Sequence, residues 1–511
     1  MTKTRSRRSK IGVWALAVFV VLGLVLAGCS SNQDSSNEPS SSSAATTLSE
    51  TPATSNEPQG QDKETLEPVN LIWYIRQAEP ANLDSVMAKF NEMVKDKINA
   101  TVEFRFVNPA DYDSKMQLAM SSGEAYDLAY TANWTNNYQN NVAKGAYLAL
   151  DDYLDKFPNL TSLFKPGIWD AVRVGGKIYG VPNKQIMNNT PGHWFLTEYV
   201  DKYNLDVTHL NKIEDLTPIF ETIKTNEPDI YPMRQGEFNT YKEFTPLVVD
   251  MGGEYIHVDP KTLKVIDESQ ELMHYYKVMR EWNQSGYFPP DVATLKNQNE
   301  LIAAGKLFAN YSRQKPGADA EYKTNYGRDF TFVTAGESVI TQGSVQSTLT
   351  AVSAASEHPE RALMLLDLLN TDKDIYNTLV FGLEGQDYTK VSDNRIEPIK
   401  GGYYVTNWMV GNVFNSYLLP GQADDVWEQT EAMDEAATID PLIGFTFDRE
   451  PVQNEIARCI AAAKEFIPIL KNGLDDPDKT YQAYQEKLKA SGIDKIKAEV
   501  ERQLADWKAA Q

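Results

Sequence analysis

Between Val69 and Thr131 the apolar positions switch repeatedly between strand and helix periods, and the switches divide the stretch into elements. Val69-Asn70-Leu71-Ile72-Trp73-Tyr74 is a short run of β-branched and aromatic residues that reads as a buried strand. Leu83, Val86, Met87, Phe90 and Val94 recur at helical spacing and define one apolar face. From Thr101 to Val107 alternation returns, with Val102, Phe104 and Phe106 on one side. A second helix is predicted from Asp111 to Ser121, and Tyr126 to Thr131 supplies a third strand after the break at Ser122-Gly123. Strand, helix, strand, helix, strand predicts an α/β fold with a parallel sheet and crossover helices. Ligands of such sheets sit beyond the carboxyl ends of the strands. Trp73, Tyr74, Asn133 and Trp134 fall just past two of those ends on this reading.

Further along, Val172 to Pro182 reads as a hairpin, because Gly175-Gly176 supplies the positive φ angles of a two-residue turn. Gly192-His193-Trp194-Phe195-Leu196 is a candidate strand, and Asp215 to Glu221 a helix with Pro218 in its first turn. Glu300 to Tyr311 reads as a helix, a glycine at Gly305 and a strand. Alternation near Gln346 to Val352 precedes a capped helix start at Ser356 to Ala362, leading into Leu363 to Leu369.

The amino terminus follows a different pattern. Lys3, Arg5, Arg7, Arg8 and Lys10 precede an uncharged apolar run from Ile11 to Leu26, the pattern of an export signal and not of a domain. Leu26-Ala27-Gly28-Cys29 resembles the lipobox of bacterial lipoproteins. The resemblance implies cleavage after residue 28, lipid on the Cys29 sulfur, and a place at the outer face of the cell membrane, most simply in a Gram-positive cell. Residues 29–67 are Ser, Thr, Asn, Gln, Pro and Glu with hardly any large apolar side chain, the composition of a disordered linker.

Composition narrows the partners. The net charge of −22 becomes more negative once the basic leader is removed, which argues against nucleic acid and anionic membrane surfaces as partners. Cys29 and Cys459 are the only cysteines, so with Cys29 acylated no intramolecular disulfide is available. Cys459 lies in a helical pattern and reads as a small buried hydrophobe. With 42% apolar and 11% aromatic residues, the chain can build a large core.

The hairpin at 172–182 resembles the segment that leads out of the first lobe in extracellular solute-binding proteins of the family that includes maltose-binding protein. Phe381-Gly382-Leu383-Glu384-Gly385-Gln386-Asp387-Tyr388-Thr389, Asn407-Trp408-Met409, Ile443-Gly444-Phe445-Thr446-Phe447-Asp448 and Ala490-Ser491-Gly492-Ile493-Asp494 resemble the LipO-type carbohydrate-binding lipoproteins of that family. The resemblance implies a type II periplasmic-binding-protein-like fold: two discontinuous α/β lobes, a hinge of two or three strands, and a helical C-terminal extension. On that basis residues 68–183 and 296–343 are expected to form the N-terminal lobe, and 184–295 and 344–511 the C-terminal lobe, with Glu300 to Tyr311 as the return crossing. The asparagines of the segment Asn183 to Thr190 do not map onto the family pattern.

The implied function is that of a monomeric, lipid-anchored receptor that captures a carbohydrate between its lobes and delivers it to the transmembrane subunits of an ABC importer, without a cofactor. Sugars present apolar CH faces ringed by hydroxyls, so their sites need aromatic faces together with amides, carboxylates and arginines. Trp73, Trp134, Trp194 and Trp408 fall in loops or strand ends and are candidate stacking residues, with Tyr74 beside Trp73. Trp169, Trp282, Trp427 and Trp507 sit on helical patterns and read as core. Arg76, Gln77, Asp111, Asn133, Asn136, Asn310 and Tyr311 are the candidate polar partners. Alternatives are a surface glycoside hydrolase, which needs only two carboxylates about 5 to 10 Å apart, or a receptor for peptides or other polar solutes. No phosphate-binding Gly-x-x-x-x-Gly-Lys-Ser/Thr loop, His-Glu-x-x-His, Cys-x-x-Cys or Gly-x-Ser-x-Gly occurs, so the expected chemistry is binding and not catalysis, with no metal.

Overall fold

A computed structural model describes residues 66–236, 241–293 and 298–510. Cys29, the apolar run before it and residues 29–65 of the expected linker lie outside the described residues.

The first sheet has the order Ala100–Phe106, Val69–Ile75, Leu128–Thr131, Leu349–Val352, Val181–Pro182. Its first three strands are parallel, as the alternating periods predict, and Leu349–Val352 enters antiparallel beside Leu128–Thr131. Helix Leu83–Ile98 covers the sheet with Val86, Phe90, Val94 and Ile98, the face its spacing predicts. The hairpin is present: Arg173–Val174 pairs with Lys177–Ile178, and Gly175 and Gly176 take φ of 57° and 81°.

The second sheet runs Phe330–Thr334, Pro191–Leu196, Leu307–Arg313, Tyr231–Met233. This overturns the expected return crossing, because Leu307–Arg313 stays in the second lobe, hydrogen-bonded between two strands of that sheet. Leu307, Phe308 and Ala309 are buried there among Trp194, Phe195 and Ile302, so an interior position in the second sheet satisfies the strand's apolar residues. The lobe boundaries move accordingly. One core draws on residues from Leu71 to Met187 and from Ile340 to Ala437, and the other on Trp194 to Val333 and Leu442 to Leu504. Residues 298–338 therefore belong with the second lobe and 344–437 with the first, the reverse of the expected assignment, although both lobes remain discontinuous.

The chain crosses between the cores at Asn188–Asn189, Val339–Ile340 and Thr438–Ile439, and these strands form a sheet of their own with Val339–Ile340 in the middle. The unmapped asparagines now have places. Asn188 donates its backbone N–H and side-chain Nδ2 to Asp434 Oδ1 at 2.9 and 2.7 Å, and Asn183 Nδ2 bridges Thr348 Oγ1 and the Met409 carbonyl at 3.0 and 2.9 Å. Both tie the outgoing crossing to later segments of the first lobe.

Helices Gln453–Lys471, Pro477–Ser491 and Ile493–Ala509 complete the second lobe, inserting Cys459, Tyr484, Val500 and Leu504 into its core. The loop after the first of these touches helix Ser269–Gln284 so closely that a Cβ on Gly473, at φ 59°, would lie 2.2 Å from the Met279 carbonyl. Arg280 and Asn283 seal this contact by donating to the carbonyls of Gly473 and Asn472, each at 2.9 Å.

Two outcomes follow from this packing. Burial pushes the Cys459 thiol up to about 11, so it stays protonated at pH 8. In a Cys29→Ser protein the remaining thiol should ignore a thiol reagent until denaturant unfolds the second lobe; rapid labelling of the native protein would contradict the packing. Trp194→Ala should cost roughly 3–5 kcal/mol by chemical denaturation, since the ring is wholly buried between Phe330 and Tyr322.

Candidate functional site

At the carboxyl end of strand Val69–Ile75 the chain continues into Arg76 and Gln77, and at the end of Leu128–Thr131 into a turn that carries Asn133 and Trp134. The turn is held from beneath. Asp113 accepts from Thr135 Oγ1 and the Asn136 N–H, both at 2.6 Å, and Asn136, at φ 42°, donates to the Tyr130 carbonyl at 2.9 Å. Asn137 caps the following helix, Tyr138–Ala143, by accepting from the Asn140 N–H at 3.0 Å. The result is a rigid ledge on which Trp134 is 49% exposed. Its indole Nε1 donates to the Ser347 carbonyl at 2.8 Å, which fixes the ring by one edge. The Arg76 guanidinium carbon lies 4.8 Å from the ring centroid, a cation–π contact worth about 0.5–2 kcal/mol.

Neighbouring segments extend this aromatic surface. Asn133 Nδ2 donates to the Gly343 carbonyl at 2.8 Å, joining the ledge to helix Gln342–Val345. Gln77 accepts from the Thr406 N–H and hydroxyl and donates to the Tyr404 carbonyl, each at 2.8 Å, and Thr348 Oγ1 donates to the Trp408 carbonyl at 2.9 Å. These bonds hold Trp408 so that Tyr130 stands edge-on to both Trp134 and Trp408, with centroids 6.3 Å apart in each case.

Two cavities open between the lobes. One, of about 660 Å³, is lined by Asn133 and residues 341–344 on the first lobe and by Lys242, Tyr255, His257, Tyr311 and Arg313 on the second. The other, of about 690 Å³, is lined by Tyr404, Trp408 and Trp427 on the first lobe and by Lys315, Ala320 and Thr324 on the second. Arg313 and Lys315, two residues apart, line one cavity each, so the two cavities adjoin along the second-lobe wall of the cleft. The first is rich in charge and the second in aromatic rings. Burial raises the carboxyl of Asp440, at the hinge end of the first cavity, above its ordinary range.

The structure brings together Arg76, Gln77, Asn133, Trp134 and Trp408 among the candidates, and places Tyr311 on the opposite wall, edge-on to His193. The rest are elsewhere. Trp73 is fully buried against Phe104, because its strand runs on to Ile75 and keeps the indole on the sheet face that helix Leu83–Ile98 covers through Phe90. Tyr74 is buried on the other face, where its hydroxyl donates to Glu124 under Arg105 and Lys115. Trp194 sits in the second-lobe core for the same reason as Trp73. Asn136 and Asn310 are buried, the first donating to the Tyr130 carbonyl and the Tyr147 hydroxyl and the second to Gln298 at 3.2 Å. Asp111, expected as a polar ligand partner, is exposed at the start of helix Tyr112–Ser122 without a side-chain capping bond and lines neither cavity, while Asp113 anchors the Asn133–Asn136 turn. Trp427, read as core, lines the second cavity and donates to the Ser416 carbonyl at 3.1 Å. Sequence reasoning missed Tyr130, Tyr255, His257, Arg313 and Tyr404, for which pattern offered no signal beyond residue type.

Comparison with known proteins agrees with this architecture. The model of the bacterial extracellular solute-binding protein family matches residues 80–375, and that of a domain of unknown function, DUF3502, matches residues 441–509. A carbohydrate ABC transporter substrate-binding protein of Streptococcus pneumoniae is 27% identical over 450 residues, covering 84% of this chain and 89% of that protein. Among solved structures, the N-glycan transport solute binding protein NgtS of S. pneumoniae is similar with a TM-score of 0.75 at 26% identity, over 86% of this chain and 99% of that one. Its complex with Man5GlcNAc gives 0.65 at 26% identity, over 87% and 99%. An extracellular solute-binding protein of Bifidobacterium longum subsp. infantis shares the fold, with 0.61 at 16% identity over 86% and 98%. The two lobes, the hinge sheet between them and the helical C-terminal region are those of a type II binding protein, and the chain belongs to the bacterial extracellular solute-binding proteins.

Proposed function

We propose that this protein is a lipid-anchored receptor that captures an oligosaccharide in the inter-lobe cleft and presents it to the permease of an ABC importer. The observation that carries the reading is the pair Trp134 and Trp408, each held edge-on by the buried Tyr130 ring, with Arg76 against Trp134, at the carboxyl ends of the first-lobe strands. A pyranose ring offers such an indole its CH face and offers the flanking polar groups its hydroxyls. The similarity to a carbohydrate ABC transporter substrate-binding protein and to NgtS in complex with Man5GlcNAc supports the same ligand class.

The mechanism follows from the two walls. A sugar that touches only the first lobe gains part of its contacts, and closure about the hinge adds those of the second lobe. The ligand's preference for the closed state therefore drives closure. The permease would read the closed surface, and energy for transport would come from ATP hydrolysed on another subunit.

Thermal denaturation of the purified protein against a glycan panel that includes Man5GlcNAc tests the ligand class. A glycan at a thousandfold excess over Kd should add about 4 kcal/mol of stability and raise the melting temperature by several degrees. A shift with peptides and none with glycans would overturn the carbohydrate reading. Trp134→Ala should abolish the glycan shift while leaving the unliganded melting temperature nearly unchanged, because half of the ring is already in solvent.

The anchor is tested separately. Cys29→Ala should yield a protein that binds glycan normally yet is unprocessed or released from cells, with slower uptake of cargo. Uptake at the original rate from fully released protein would remove retention from the mechanism.

A further inference from the structure

Outside the second-lobe sheet stands a separate two-stranded arm, Leu247–Asp250 paired antiparallel with Tyr255–His257. Val249 and Ile256 bury one side of it in the second-lobe core. Leu247 and Tyr255 remain 48% and 45% exposed, and both line the charged cavity that Asn133 and Gly343 border from the first lobe. These two side chains give the charged cavity an apolar and aromatic edge on the second-lobe side.

Next to Tyr255, with ring centroids 6.0 Å apart, His257 lines the same cavity although its side chain is only 4% exposed. Its Nδ1 lies 2.7 Å from Glu268 Oε2. Burial alone would raise the Glu268 carboxyl, but the bonds from His257 and Lys242 outweigh it and hold the group below its ordinary range, so it is ionised and can only accept. Nδ1 must therefore carry the hydrogen. No partner for Nε2 is found among the described residues, so this nitrogen is left to meet a ligand hydroxyl, which can both donate and accept.

The arm is braced from behind by the C-terminal helices. Tyr484 donates to Glu254 at 2.8 Å in the turn of the arm, and Glu501 accepts from the Val265 N–H at 3.1 Å and from Lys264 at 2.9 Å just beyond it. Gly253, at φ 109°, lies so near Ile467 that an added Cβ would be 3.0 Å from it. The arm is thus held in place before any ligand arrives, which limits the ordering cost of binding.

We propose that Tyr255 and His257 form the second-lobe half of a pyranose subsite. The Tyr255 ring takes the CH face of the sugar, and His257 Nε2 hydrogen-bonds one of its hydroxyls. Asn133 and the 343–344 backbone meet the same sugar from the first lobe when the lobes close. This rests on the carbohydrate reading above and adds to it the residues by which the second lobe selects the closed state.

The test is calorimetric titration of the full chain with Man5GlcNAc and the other glycans of the panel, comparing the original protein with Tyr255→Ala, His257→Gln and Leu118→Ala. Leu118 is exposed on helix Tyr112–Ser122, away from the cleft lining, and serves as the control. Tyr255→Ala should weaken glycan affinity about tenfold or more with an unchanged unliganded melting temperature, His257→Gln should weaken it as well, and Leu118→Ala should bind as the original does. If His257→Gln fails to fold, Tyr255→Ala decides alone. Unchanged affinity in Tyr255→Ala would overturn the subsite and leave the carbohydrate reading standing; failure of the original protein to bind any glycan would overturn both.

Discussion

The ladder formed by Asn188–Asn189, Val339–Ile340 and Thr438–Ile439 is the constraint on which the rest of this molecule depends. Each crossing contributes only two paired residues, so the sheet is stiff against separation and soft against twist. Three short crossings side by side leave the lobes essentially one easy motion, rotation about the sheet. Asp434 adds a fixed point by accepting from the Met187 and Asn188 backbone N–H groups, so the first crossing starts from one place. A cleft between two lobes can select a ligand only if the walls return to the same register at each closure, and the hinge sheet supplies that register.

The two walls divide the work. First-lobe groups are immobilised by hydrogen bonds to backbone: Trp134 through Ser347, Asn133 through Gly343, Gln77 through Tyr404 and Thr406. Such a wall is formed whether or not ligand is present. The second lobe contributes Tyr311, Arg313 and the braced arm, and the cleft changes along its length from charged to aromatic.

The legible parts of the chain were those set by local period. Val86, Phe90 and Val94 announce a helix face, and Gly175-Gly176 announces a turn, because the physics lies within a few residues. Leu307–Arg313 was also recognisable as a strand, but nothing near it says which sheet it joins; that is decided by pairing with His193 and Trp194 on one side and Tyr231 on the other. The candidate site failed and succeeded along the same line. Trp73 and Trp134 look alike in sequence, and one more residue of strand after Tyr74 separates a core indole from an exposed one. Asn188 had no local meaning because its partner, Asp434, is 246 residues away. Arg76, Gln77 and Asn133 were reachable because strand ends are where this fold puts ligands. Tyr255 and His257 were not, since their arm belongs to neither sheet.

Completion of each lobe by a late segment has a consequence for how the protein comes into being. Strand Leu128–Thr131 needs Leu349–Val352 beside it, and Trp194 shares a core with Leu504 from the last helix described. As the chain emerges from the ribosome, neither half can close on itself, and contacts this distant in sequence form slowly. Each lobe therefore lacks part of its sheet or core until its late segment has been made. The same interleaving that joins the lobes thus ties the folding of each to the arrival of its last segment.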